Sequence, residues 1–128
     1  MKIFLDDYRT PTDCVQYMYK RIGKLNPIYL EDWVIAKNYD QFVKVVSENI
    51  DKITHISFDH DLADEHYDPN VYENGNEIDY ETYTEKTGYE CAKWLKDFYK
   101  SNNKRLPIMF VHSMNGVGTN NIINLFKK

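Results

Sequence analysis

The stretch Lys2–Asp6, KIFLD, is an apolar run of strand length that ends directly in carboxylates, Asp6 and the adjoining Asp7. The pattern returns at Ile53–Phe58, ITHISF, which runs into Asp59, His60 and Asp61. It returns again at Leu106–Val111, LPIMFV, which runs into His112 and Ser113. A shorter run, Trp33–Ala36, WVIA, lies between the first two. Strands that are apolar at nearly every position, rather than at every second one, have both faces covered, as in parallel sheets.

The intervening segments carry helical periodicity. Pro11 and Thr12–Asp13 supply turn and N-cap chemistry for a helix whose apolar positions are Cys14, Val15, Met18, Ile22 and Leu25, with Gly23 as its terminator. Asp40 can cap a second helix with Phe42, Val43, Val46 and Ile50 inward. Thr87-Gly88-Tyr89-Glu90 has the form of a capping box, in which Glu90 reaches back to the Thr87 amide. Behind it Cys91, Leu95 and Phe98, joined by Ala92 and Tyr99, make one face, and Lys93, Lys96, Asp97 and Lys100 the other. Gly116 to Thr119 lead into a last helix with Ile122, Ile123 and Phe126 inward. Strands alternating with helices predict right-handed βαβ units and a three-layer α/β fold. The expected sheet has about four parallel strands in the order 2-1-3-4, with helices on both faces.

A chain of 128 residues is expected to form one domain over 1–128. Its two cysteines, Cys14 and Cys91, make no CxxC and no disulfide framework, which excludes a secreted mini-protein. With no signal peptide and no apolar run of membrane-spanning length, a soluble, cytoplasmic protein without a membrane partner is expected. The net charge of −4 argues against a duplex DNA binder. That charge is uneven. Residues 63–86 hold eight acids against one base, a local −7, and the remainder holds 12 acids and 15 bases, or +3. The acidity belongs to a Tyr-rich insert at about 63–86, punctuated by Pro69, Asn74-Gly75 and Asn76, for which no regular structure is predicted. His66 within it is expected to be exposed, and His55, inside a strand, to be packed.

In an open parallel sheet ligands bind beyond the carboxyl ends of the strands, where the strand order reverses. In 2-1-3 order that crevice lies between strands one and three. Asp6, Asp7 and Asp59 converge there, and carboxylates so close must be protonated or neutralised by a cation. Hard oxygen ligands point to Mg²⁺ or Mn²⁺. His60 and His112 flank the same place and, with Asp61, are candidates for acid–base work. Arg9 can fork onto a phosphate, or make a plain ion pair. Ser113 offers a hydroxyl, and the turn from Asn115 into the last helix offers amides to an anion.

Four motifs together carry a resemblance: Phe4–Pro11 (FLDDYRTP), Ser57–Leu62 (SFDHDL), Thr87–Glu90 (TGYE) and Val111–Asn115 (VHSMN). The chain resembles the cyclic-phosphate-processing receiver domains of bacteria and phages. Through them it is similar to response-regulator receivers. The resemblance implies a receiver/flavodoxin-like fold in which Asp6, Asp7 and Asp59 hold Mg²⁺ and Asp59 stands where receivers accept a phosphoryl group. It departs from ordinary receivers in lacking a lysine on a fifth strand, and in carrying His60 beside Asp59 and His112-Ser113 where a lone Thr or Ser is usual. Those departures shift the implied chemistry from phosphorelay toward acid–base work on phosphate.

The leading expectation is a metal-dependent phosphoesterase acting on a cyclic nucleotide or on an RNA end bearing a 2′,3′-cyclic phosphate. Asp6, Asp7 and Asp59 would hold the metal. His60, His112 and Asp61 would handle protons, and Arg9, Ser113 and Asn115 would hold the substrate. The alternatives are a catalytically silent receiver-like signalling or binding module, and a sponge that binds a cyclic nucleotide without cleaving it. The acidic insert has two readings. It is a lid whose Tyr67, Tyr72, Tyr80 or Tyr83 stacks on a base, or a solubilising or partner-binding loop, the plainer expectation of the two. Oligomeric state is not legible in the sequence.

Overall fold

A computed structural model of the protein describes residues 1–22 and 27–127, without the side chains of 17–22. Gly23 as a helix terminator, and Met18, Ile22 and Leu25 as part of an apolar stripe, lie outside the described residues. The centre is a parallel sheet of β1 (Lys2–Leu5), β2 (Val34–Ala36), β3 (His55–Phe58) and β4 (Ile108–Val111), in the order β2-β1-β3-β4. Among the described residues five helices accompany it: α1 (Pro11–Ile22), α2 (Tyr39–Asn49), a single turn α3 (Pro69–Tyr72), α4 (Gly88–Ser101) and α5 (Gly116–Lys127). The order and the two-sided helical cover are those expected from the strand–helix alternation, and the fold is of the receiver/flavodoxin-like α/β class.

Register is what builds a site. Leu5 pairs with Ala36 and with Phe58, and Phe58 pairs with Val111, so the strands end level. The next residues continue the ladder: Asp6 N donates to Ala36 O (3.0 Å), Asp59 N to Leu5 O (2.9 Å) and His112 N to Phe58 O (2.9 Å). Asp6, Asp59 and His112 therefore leave the sheet side by side.

Alternate strand residues serve two cores. Ile3, Leu5, Ala36, Ile56 and Phe58 point into the larger one, with Phe42 and Val46 from α2, Cys91, Ala92, Leu95 and Tyr99 from α4, and Ile122 from α5. Phe4 points the other way, against Cys14 and Val15 of α1 and Tyr29 of a 3-10 turn at Pro27–Leu30. Both cysteines are free and buried.

Several local details differ from expectation. Asn38, not Asp40, caps α2: its side chain accepts from Gln41 N at 2.9 Å, and Asp40 sits in the first turn, where its charge suits the helix dipole. Thr10 opens α1, its amide bonded to Asp13 Oδ2 (2.9 Å), with Pro11 as the first helical residue. The capping box of α4 is made on its Glu90 side, Glu90 Oε1 accepting from Thr87 N at 3.1 Å, while Thr87 Oγ1 makes no hydrogen bond among the described residues. Trp33 is not in β2; its indole donates to Ile28 O (3.0 Å) and its ring joins the smaller core. The edge strands are not covered on both faces, Ile35 being 41% and Ile108 58% exposed. Ile123, placed inward by the periodicity of α5, is 39% exposed.

The acidic segment also has more structure than its composition predicts. Besides α3 it forms 3-10 turns at Asp64–His66 and Tyr80–Thr82. His66 is buried, not exposed, and clips the segment's two ends together. Its Nδ1 accepts from Leu62 N (2.9 Å) and its Nε2 reaches Glu85 O (2.8 Å). The partners lie 4 and 19 residues away, so no local composition could reveal them. His55 is half-buried on β3, bonded to Thr54 Oγ1 (2.8 Å) and parallel to the Phe110 ring.

Candidate functional site

Asp6 is almost completely buried and its four hydrogen-bond directions are filled. Oδ1 accepts from the amides of Tyr8 (2.9 Å) and Arg9 (2.8 Å), so the chain after β1 folds back around this carboxylate. Oδ2 meets Arg9 Nε (3.1 Å) and His112 Nε2 (3.0 Å). Burial works to raise its pKa, but the His112 bond and the two amides outweigh it and hold Asp6 below the ordinary value.

Asp59 has the opposite balance. Its Oδ1 accepts from His60 N (2.9 Å) and Arg9 Nη2 (3.2 Å), whereas its Oδ2 is buried without a hydrogen-bond partner among the described residues. Burial first, then the Asp6 charge, push this carboxyl up to about 8, with Arg9 opposing. Asp7 also has a buried oxygen, Oδ1, without a partner among the described residues, and burial and Asp6 raise its pKa.

Arg9 thus spans Asp6 and Asp59, at 3.1 and 3.2 Å, with a side chain 16% exposed. It is neither a loose surface pair nor aimed away from the carboxylates. Its single positive charge meets two acids, Asp6 and Asp59, with Asp7 next to Asp6 in the chain and Asp61 close to Asp59, a surplus of negative charge that a divalent cation could neutralise. One donor atom each from Asp6, Asp59 and His112 lie within 4.8 Å of one another, a group able to hold a metal ion. Two orphaned carboxylate oxygens beside that group fit the same chemistry. Asp7 is not one of the three.

A second carboxylate–imidazole pair lies next to the first. His60 Nδ1 is 2.8 Å from Asp61 Oδ1, which also accepts from Asn115 Nδ2 at 3.2 Å. His60 Nε2 is 2.9 Å from the Tyr80 hydroxyl, which Asn121 Nδ2 supports at 3.0 Å, and the Tyr72 hydroxyl donates to Asp61 Oδ2. Burial raises the pKa of both phenols. His60 and His112 are fully inaccessible and engaged at both ring nitrogens, each standing behind a carboxylate. Burial holds the pKa of His112 down.

Ser113 and Asn115 are buried in the turn into α5. Asn115 N donates to Ser113 Oγ (3.0 Å), and Asn115 Oδ1 caps the helix by accepting from Gly118 N (2.9 Å). One helix-start amide is therefore already taken. Two glycines seat the Asp59–Asp61 loop. A Cβ on Gly88 would stand 1.7 Å from Asp59 O, and one on Gly118 would stand 2.4 Å from His60 Cγ. The TGYE motif was legible as a cap, but not as the place where Gly88 N reaches His60 O at 2.7 Å.

Above these groups lies a cavity of about 190 Å³. Arg9, Asp59 and Asp61 line it with Tyr8 and Met114, and the acidic segment contributes Tyr67 and Tyr72, whose rings stack at 5.9 Å. The segment thus touches both the cavity and the Asp61–His60 pair. Sequence patterning found the strand-end acids and imidazoles but missed Tyr29 and Ser57, which stand behind His112.

A parallel 2-1-3-4 sheet with buried acids at the ends of its first and third strands defines a receiver-like domain. The family model of the cyclic-phosphate processing receiver domain matches residues 1–128, and the chain belongs to that family. No curated protein and no solved structure matches it. Among the described residues no helix is long and apolar enough to cross a membrane.

Proposed function

We propose that the protein is a metal-dependent phosphoesterase that opens a cyclic phosphate on a small nucleotide or an RNA end. The observation that carries this reading is Asp59, which lines the cavity with Arg9 and Asp61 and whose buried Oδ2 has no hydrogen-bond partner among the described residues. Asp6, Asp7 and Asp59 would hold Mg²⁺ or Mn²⁺, which when bound polarises a phosphoryl oxygen and acidifies a water. The chain's own groups do the rest. Arg9 keeps Asp6 and Asp59 together and faces the cavity, where its charge meets the phosphate. Asp61 on the cavity wall and His60 behind it form the carboxylate–imidazole pair that would pass a proton to the departing ribose oxygen. Asn115 fixes Asp61, and Ser113 fixes the turn that carries Asn115. Tyr8, Tyr67 and Tyr72 offer ring faces to a base. The cavity exceeds the roughly 150 Å³ known to accept one benzene ring, so a single base can enter.

Phosphorus NMR of 2′,3′-cyclic AMP and of RNA 2′,3′-cyclic ends, incubated with the protein and Mn²⁺, tests the reading. Conversion to a monoester is expected, and its absence across the panel rejects hydrolysis. The sealed state of both histidines favours one other reading, a silent receiver in which Asp59 binds or accepts phosphate without turnover. Incubation with an acyl phosphate would then add about 80 Da at Asp59.

A further inference from the structure

The hydrogen bonds behind Asp6 continue along one face of the sheet into the smaller core, the face that carries Phe4. His112 Nε2 is 3.0 Å from Asp6 Oδ2, His112 Nδ1 is 2.6 Å from Ser57 Oγ, and Ser57 Oγ is 2.8 Å from the Tyr29 hydroxyl. All four residues are 2% exposed or less, and each contact is a direct one. The His112 ring is fixed in plane as well, with Phe4 stacked on it at 4.3 Å and 6°.

The hydrogens in this chain can be placed. A carboxylate oxygen only accepts, so Nε2 carries a hydrogen toward Asp6. If Nδ1 carried one too, or instead, Ser57 would accept it and donate its own hydrogen to Tyr29. The buried Tyr29 hydroxyl would then have no acceptor for its hydrogen among the described residues, an arrangement native interiors avoid. One assignment satisfies every group: Tyr29 donates to Ser57, Ser57 donates to Nδ1, and Nε2–H donates to Asp6.

We propose that Ser57 and Tyr29 are positioning residues that hold His112 as the Nε2–H tautomer, a donor to Asp6 and not a ligand of the metal. For the ion this rests on the proposed function; for the tautomer it does not. With its Nε2 lone pair absent, His112 leaves the grouping of Asp6, Asp59 and His112. An ion would then draw on carboxylate oxygens alone, the unpartnered Oδ1 of Asp7 and Oδ2 of Asp59 among them, a donor set suited to Mg²⁺ or Mn²⁺. Outer partners of this kind orient the ligands they touch.

The test uses ¹⁵N-labelled full-length protein in chelator, where long-range ¹⁵N–¹H spectra report which nitrogen of His112 bears the hydrogen. The Nε2–H form is expected in the wild type, with a mixed or altered signal in Ser57→Ala and Tyr29→Phe. Mn²⁺ affinity, read by electron paramagnetic resonance, is expected to fall about 10- to 100-fold in Ser57→Ala, less in Tyr29→Phe, and to recover in Ser57→Thr. Val15→Ala, in the same small core, should lower the melting temperature while leaving tautomer and affinity unchanged. An Nδ1–H ring in the wild type, or wild-type Mn²⁺ affinity in Ser57→Ala, overturns the proposal. If Ser57→Ala does not fold, the spectrum of Tyr29→Phe decides. A wild type that binds no Mn²⁺ defeats the proposed function, while the tautomer still decides this inference.

Discussion

Arg9 Nη2 stands 3.2 Å from Asp59 Oδ1, and the same guanidinium reaches Asp6 through Nε at 3.1 Å. A side chain of the protein thereby supplies part of the positive charge that the carboxylates at the strand ends require. Arg9→Gln removes that charge and leaves two buried acids without their shared partner, a change that typically costs about 3 kcal/mol. A metal at the same carboxylates should compensate. The rise in melting temperature on adding Mn²⁺ is expected to be larger in Arg9→Gln than in the wild type. Equal rises in calorimetry would show that the ion and Arg9 do not share those carboxylates.

Asp59 dictates a pH dependence whose sign is the reverse of the usual acidic group. Its carboxyl is raised in the folded protein, to about 8, against about 4 for an unfolded chain. The folded state therefore holds a proton more tightly than the unfolded one, and stability declines as pH rises between those values. Below about pH 4 both states are protonated and the contribution is fully present. Urea unfolding in chelator is expected to show a lower midpoint at pH 8 than at pH 5. Asp59→Asn, which stays neutral, should reduce that difference and should exceed the wild type in stability at pH 8. A midpoint difference unchanged by Asp59→Asn would assign the pH dependence to other groups.

The glycines around the Asp59–Asp61 loop give an ordered series. A Cβ at Gly88 meets backbone, Asp59 O at 1.7 Å, which cannot move without displacing the loop. At Gly118 it meets the His60 ring at 2.4 Å, and a ring held at both nitrogens yields only by losing those bonds. Gly116 has open space. Gly88→Ala should cost the most, Gly118→Ala roughly 1–3 kcal/mol, and Gly116→Ala next to nothing, measured by chemical denaturation. Any other rank order would contradict this account of the loop.

The parts of this molecule that were legible in the sequence are those set by local pattern. Apolar runs ending in Asp6, Asp59 and His112 gave the strands, and the alternation gave the 2-1-3-4 order, because βαβ handedness leaves few ways to place four parallel strands. What escaped depends on partners far away in the chain. Ser57 stands between Ile56 and Phe58 in β3, and the interruption was a signal, since a buried serine needs a partner. Its partners, Tyr29 and His112, are 28 and 55 residues distant. His66 read as one more polar residue in an acidic segment, and Asp40 read as the cap of α2 because Asp is as good a capping type as the Asn38 that makes the bond.

His66 also makes the acidic segment testable apart from the sheet. It joins Leu62 N to Glu85 O across the segment, with the Tyr83 ring 4.7 Å away. The segment in turn places Tyr72 on Asp61 and Tyr80 on His60. His66→Ala removes the clip but touches neither core, since His66 belongs to neither apolar cluster. Amide hydrogen exchange is expected to quicken across 63–86 by one to two orders of magnitude, about 1.4 kcal/mol per factor of ten, while β1 and β3 keep their protection. If exchange quickens equally in the strands, the segment is part of the cooperative core. If it quickens nowhere, the tyrosine contacts hold the segment without His66, and Tyr72→Phe with Tyr80→Phe should then release it.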